Sequence, residues 1–322
     1  MTQPTPSPAH LSVHLPLGGG LKAWIVERPG LHLDDTARTR LLGDLRAIAG
    51  KTLDGDDLDY GVFDDTSGAL DRTLITLLYN RKTGDPVAFN SLPILDMNIR
   101  GETRSVLHLG LVMVDPDARQ GGLSAVLYGL ACAILLIRNQ FRPIWISSVT
   151  QVPAVVGLVS EMYSDVYPSP LPRSRRSFEH LLMARRIMAE HRAAFGVGPE
   201  ADFDEQSFVI ANAYTGGSDH LKKRFEDAPK HRKDVFNTMC DTQLDYDRGD
   251  DFLQIGRLDV EALRHYCTRI APQGLGLAPV LGLFFFGFQS LFLPVLHWFN
   301  DKRAWGGLRP ARSHKERPVD HG

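Results

Sequence analysis

The sequence predicts an α/β protein of the α+β kind: a mixed, mostly antiparallel central sheet flanked by helices. Two observations carry that expectation. Apolar β-type runs at 73–79, 86–95 and 104–114 follow one another through short turns, as consecutive antiparallel strands require. The run 123–137 is almost wholly apolar, lacks proline and is too long for a strand, so it reads as a buried helix.

The elements follow in order. Residues 1–20 are a Pro-, Ser- and Thr-rich stretch without the charged and apolar regions of a secretory signal, and are expected to be a disordered leader. A weakly alternating strand, 21–27, ends before Pro29. Residues 36–49 carry Leu41, Leu42, Leu45 and Ile48 at helical spacing, with Gly50 as the stop. The acidic stretch 54–65 reads as a surface loop. Arg81-Lys82-Thr83-Gly84-Asp85 has hairpin-turn chemistry, and Arg100-Gly101-Glu102 makes a second turn into 104–114, the longest strand candidate. Beyond the apolar helix come a buried strand at 143–149 and a helix opening at Pro153 and running to about Tyr163. A Pro-rich break at 168–172 precedes an amphipathic helix at 178–195, a strand at 208–213, a charged helix at 230–240 and a last strand at 252–258. Residues 21–269 are thus expected to form one domain with helical insertions at about 174–240.

The chain of 322 residues is long enough to bury a sizeable core, and its 43% hydrophobic and 23% charged content with net charge -2 is ordinary for a globular protein. No nucleic-acid partner is expected: the basic runs 173–176 and 222–232 lack interleaved stacking aromatics, and Glu226 and Asp227 interrupt the second. Cys132, Cys240 and Cys267 are an odd, scattered set that fits a reducing, cytoplasmic compartment, and no Cys/His spacing predicts a metal site.

The informative segment is 107–127, in which an apolar strand ends at Val114, Pro116 blocks its extension, and Arg119, Gln120, Gly121 and Gly122 lead directly into a helix at Leu123 and Ser124. The first turn of a helix carries backbone N–H groups with no internal partner and the positive end of the macrodipole, so it accepts a phosphate. Paired glycines let the phosphate reach that backbone, and Arg119 adds a fork of donors.

This run resembles the central motif of the GNAT superfamily of N-acetyltransferases, V-x-P-x-x-R-x-x-G-x-G/A before an apolar helix, through Val114, Pro116, Arg119, Gly122 and Ser124. Ser124 departs from the usual Gly or Ala. The order of elements from about Thr73 to Tyr167 follows the family, roughly a third of the chain. The resemblance implies the GNAT fold and acyl-CoA or acetyl-CoA as co-substrate, held at Val112, Met113, Val114, Arg119, Gln120, Gly121, Gly122, Leu123 and Ser124. It also implies transfer of the acyl group to an amine acceptor. His108, on the strand where several members carry a catalytic carboxylate, is the candidate base, with Asp96 and His180 as substitutes and a structural histidine as the alternative. Strand alternation puts His108, Gly110, Val112 and Val114 on one face. Tyr163 is the candidate acid for the leaving thiolate, against a packing tyrosine.

Residues 270–300 contain no Asp, Glu, Lys or Arg, and the tail 301–322 is basic. As one helix the run would be about 45 Å long, enough for a bilayer, although Pro279, Pro294 and several glycines interrupt it. Trp298, Trp305, Lys302 and Arg303 resemble interfacial anchors, and a basic tail on the cytoplasmic side favours an in-plane or re-entrant hairpin over a single span. A core element or a protein–protein contact is the alternative. Membrane attachment implies a lipid or amino-acid acceptor and a long-chain acyl donor, from CoA or an acyl carrier protein, whereas an acetyl-CoA-dependent enzyme for a small amine or protein, or a non-catalytic CoA-binding module, are the other readings.

Overall fold

The computed structural model describes residues 10–52, 61–63, 68–99, 102–216 and 222–270. The hydrophobic run 270–300 and the basic tail therefore lie outside the described residues, apart from Ile270, as does most of the acidic loop 54–65. Among the described residues no helix is long and apolar enough to cross a membrane.

An open, mostly antiparallel sheet organises the chain. It begins with β1 (Ser12–Pro16), β2 (Leu21–Glu27), β3 (Thr73–Asn80) and β4 (Pro86–Ile99), four antiparallel neighbours. β1 falls inside the stretch expected to be a disordered leader. Its Val13 and Leu15 pack on the main core, which is what overrides the proline-rich composition around it. The next strands are β5 (Glu102–His108) and β6 (Leu111–Val114), both antiparallel to β4, and β7 (Ile144–Thr150), parallel to β5. The far edge is built from β8 (Ser164–Tyr167), β9 (Asp202–Asp204), β10 (Val209–Ala211) and β11 (Asp251–Leu258), with β11 antiparallel to β7. The region expected to hold helical insertions thus contributes β9 and β10 to the sheet as well.

Helices cover both faces. Helices α2 (Leu123–Arg138), α3 (Pro153–Met162) and α6 (Val260–His265) share one core with Leu74, Leu92, Leu107 and Ile146. On the other face lie α1 (Asp35–Ala49), over Ile75, Phe89 and Met113, and α4 (Phe178–Glu190), over Leu95, Val106 and Leu253. Helix α5 (Asp234–Gln243) packs outside α3. Capping follows the sequence: Asp34 accepts from the Ala37 amide, and Ser177 forms a capping box with His180. That box, together with a bond to the Asp165 carbonyl oxygen, gives His180 a structural task.

The expected strand 104–114 is interrupted at its centre. Ile94 faces Leu107 while Ser91 faces Leu111, so three steps along β4 match four along its partner. The extra residue is a β-bulge at Leu109-Gly110. It inverts the side-chain alternation: Val106 packs in the α4 core, whereas Val112 and Val114 pack in the core beneath α2. His108 therefore does not share a face with Val112 and Val114, contrary to simple alternation, because a one-residue slip exchanges the two faces of a strand.

Candidate functional site

The bulge is also where the sheet opens. β5 pairs with β7 through Val106, Leu107 and His108, and the Leu109 amide makes one further bond to the Ser147 carbonyl oxygen. Past that point β6 pairs with β4 alone among the described residues, while β7 continues against β11. Two strands that start parallel and adjacent thus diverge, leaving a gap with β6 as one limb and the end of β7 as the other. The Asp115 amide donates to the Val87 carbonyl oxygen. Antiparallel alternation then turns the Val112 and Val114 amides away from β4, toward the gap.

The N-terminus of α2 stands at the mouth of this gap. Residues Pro116–Gly121 form a 3-10 turn, and Gly122 adopts φ 63°, a left-handed conformation that favours glycine. Among the described residues no side chain caps α2, and no acidic residue lies in its first turn. Its leading amides therefore meet no carboxylate from within the helix itself. A recess of about 500 Å³ is lined by Thr52, Val112, Met113, Val114, Gly122, Leu123 and Ser124. Six of the nine residues singled out from sequence for the cofactor thus line one recess. Arg119, Gln120 and Gly121 belong to the 3-10 turn leading into it.

Two contacts brace this mouth that the sequence did not reveal. Lys51 Nζ lies 2.6 Å from Asp115 Oδ2, tying the end of α1 to the end of β6. The same contact holds the Asp115 carboxyl below its ordinary pKa and Lys51 above its own. Thr52 Oγ1 reaches Met113 Sδ at 3.5 Å. Beneath α2, Asn90 stands opposite Val112 and beside Thr76; the Asn90 carboxamide and the Thr76 hydroxyl are fully buried without a hydrogen-bond partner among the described residues.

The two candidate catalytic residues are not at the recess. His108 is 3% exposed, with Nδ1 3.0 Å from Ser147 Oγ and its ring stacked on Phe195 at 4.9 Å. Burial holds the imidazole neutral, its pKa down to about 4. Tyr163 closes α3 and turns into the core, where its hydroxyl meets Cys132 Sγ of α2 at 3.3 Å. Burial and the neighbouring thiol raise its pKa well above the ordinary phenol range. Asp96 ion-pairs with Arg28 and accepts from Ser105, at the opposite end of β4 from the recess. Among the described residues no group of three His, Cys, Asp or Glu side chains could hold a metal ion.

A different set of titratable groups stands on the far limb. The Tyr214 hydroxyl donates to Asp251 Oδ1 at 3.1 Å and accepts from Gln151 Nε2 at 2.7 Å, and Gln151 directly follows β7. Burial lifts the Asp251 carboxyl to about 7. Gln151 follows a clean strand signal, but Tyr214 and Asp251 come from distant segments whose meeting no local pattern announces. No family profile and no curated protein matches this chain.

Proposed function

We propose that the protein is a GNAT-type acyltransferase that binds an acyl-CoA in the gap between β6 and β7. The observation that carries this reading is the recess where a strand edge and a helix start meet, the one unpaired and the other uncapped among the described residues. Each part has a task in thioester chemistry. The α2 amides answer the diphosphate of CoA, and the sequence motif assigns Arg119 to the same anion. The Val112 and Val114 amides answer the amide-bearing arm and the thioester oxygen, where negative charge grows as an amine attacks. Among the described residues that line the recess none is acidic.

The acyl group is proposed to pass to a primary amine. A long-chain donor, as acyl-CoA or acyl carrier protein thioester, and an amino-lipid or amino-acid acceptor fit the uncharged run 270–300 as a membrane-surface attachment. Incubation with acetyl-CoA and palmitoyl-CoA separates the donors. Preferential turnover of acetyl-CoA would replace the lipid version with small-amine or protein acetylation. The basic experiment is calorimetric titration of CoA into the full chain and into its Arg119→Glu variant; the charge reversal is expected to weaken binding at least tenfold.

One observation favours a second reading, a CoA-binding module without turnover: His108 is sealed by Phe195 and Tyr163 is bonded to Cys132, so neither meets the recess. Release of free CoA from an acyl-CoA in the presence of an amine decides between turnover and binding alone.

A further inference from the structure

Each limb of the gap is followed by a helix that returns over the same face: α2 after β6 and α3 after β7, both packing in the core with Leu74, Leu92 and Leu107. Their starts therefore stand on the two sides of the mouth. The α2 side is the recess already described; the α3 side carries a different chemistry. Pro153 opens α3, and the Ala154 amide donates to the Pro229 carbonyl oxygen at 3.0 Å, so the segment 222–233 closes over the helix start.

That segment is basic and firmly seated. Lys222, Lys223, Arg224, Lys230, Arg232 and Lys233 stand against Glu226 and Asp227, a surplus of four positive charges, and all six cations are exposed. The anchors turn inward: Ala228 is buried, Phe225 packs in one core with Phe236 and Tyr246, and the His231 ring lies so near α3 that a Cβ on Gly157 would approach it to 2.4 Å. Arg224 pairs with Asp227, while Glu161 alone faces His231, Arg232 and Lys233. Lys222 and Lys230 reach backbone carbonyl oxygens, which do not cancel a charge. Two exposed apolar side chains stand among these cations. Leu158 lies one turn before Glu161 on α3, and Val235 lies two residues after Lys233 in the first turn of α5. An apolar centre inside a charged rim is the anatomy of a protein–protein contact, and the positive surplus selects an acidic partner. The chain approaches the uncharged run 270–300 along the other helix, where the Tyr266 hydroxyl donates to the Ala125 carbonyl oxygen of α2 at 2.9 Å. The membrane attachment offered above thus leaves the α3 surface to a protein.

We infer that the surface formed by 222–233, Leu158 and Val235 docks an acidic carrier protein that delivers the acyl group on a phosphopantetheine arm. This rests on the acyltransferase reading above and names the donor within it. The depth of the gap suits such an arm. Gln151, at the mouth, lies four residues past Ser147, which pairs with His108 at the vertex, so the gap runs about 13 Å inward at ~3.3 Å per residue. A thioester held directly on a protein surface would stop at the mouth, whereas one on a phosphopantetheine arm reaches the vertex. The arm's phosphate then meets the α2 start on one side of the mouth, and the carrier's acidic face meets the basic segment on the other.

The test uses the full chain and a fluorescently labelled acyl carrier protein loaded with palmitoyl, its binding read by anisotropy and that of palmitoyl-CoA by calorimetry. The parent is expected to bind the carrier saturably. Arg224→Ser combined with Arg232→Ser is expected to weaken carrier binding about tenfold and to leave the affinity for palmitoyl-CoA within about twofold of the parent. Val235→Glu, at an exposed first-turn position of α5 that tolerates a carboxylate, is expected to do the same and carries the decision where the double variant does not fold. No carrier bound by the parent, or equal carrier affinity in the parent and Val235→Glu, overturns the docking surface. Loss of binding to phosphatidylglycerol vesicles in the double variant with carrier affinity unchanged also overturns it, and gives the surface to a membrane. Carrier bound through this surface without acyl transfer to octylamine supports the surface and counts against the acyltransferase reading, whereas turnover of palmitoyl-CoA without carrier binding does the reverse.

Discussion

Gly110 packs against Ser91 so closely that a Cβ built on it would lie 2.5 Å from the Ser91 carbonyl oxygen and 2.9 Å from Pro93 Cδ. That contact fixes the bulge at the point where the sheet divides. A methyl group there must push β6 away from β4. Gly110→Ala is therefore expected to destabilise the fold by about 1–3 kcal/mol, read as a lower urea midpoint, and to weaken CoA binding in the folded fraction. Parent-like stability and binding would show that the strand accommodates a side chain there and that the bulge is not pinned by this approach.

Tyr163 is expected to matter for packing and not for chemistry. Its hydroxyl bonds a thiol deep between α2 and α3, a weak contact whose loss costs about 1 kcal/mol or less. Tyr163→Phe should keep its CoA-release rate within about twofold of the parent. A loss of 100-fold without unfolding would return Tyr163 to the reaction.

Two buried groups pull the pH dependence of stability in opposite directions. His108 titrates at about 4 in the fold against an ordinary 6.5, so the unfolded chain binds more protons between those values and stability rises with pH across them. Asp251 titrates at about 7 against 3.8, so the folded chain binds more protons in that window and stability falls as pH rises through it. Each contribution is on the order of 3–4 kcal/mol at full extent. The two largely cancel in the parent, and single variants expose them. Urea midpoints of His108→Gln are expected to fall from pH 4 to 7, and those of Asp251→Asn to rise from pH 4 to 6.5. Parallel profiles in the two variants would contradict this assignment.

Much of the scaffold was legible in the sequence because its elements carry strong local signals. The helix expected at 123–137 is α2, and the strand expected at 143–149 is β7, each within a residue at its ends. The hairpin of β3 and β4 follows from Thr83-Gly84, where Gly84 takes φ 84°. The recess was legible for the same reason: Val112 to Ser124 is one contiguous strand-turn-helix. What escaped was set by tertiary contact. The bulge at Leu109-Gly110 depends on the approach of Ser91, and a lone glycine in a strand does not say which way the alternation will shift. His108 looked available because its cover, Phe195, comes from a turn 87 residues later. β1 escaped because the apolar residues that seat it are only Leu11, Val13 and Leu15 among polar neighbours. Tyr214 and Asp251 meet because β10, which ends three residues before Tyr214, pairs with the start of β11.

Acyl-CoA binding at this site requires the α2 start and the β6 edge together to hold the diphosphate end of CoA. Ser124 is exposed in the first turn of α2 and lines the recess, so Ser124→Glu sets a carboxylate at the proposed anion site without disturbing the core. Calorimetric titration of CoA into the parent and into Ser124→Glu is the direct measurement. Saturable heat in the parent that is lost in the variant, at equal urea midpoints, is the predicted result. No heat in the parent, or equal affinity in both proteins, would contradict it.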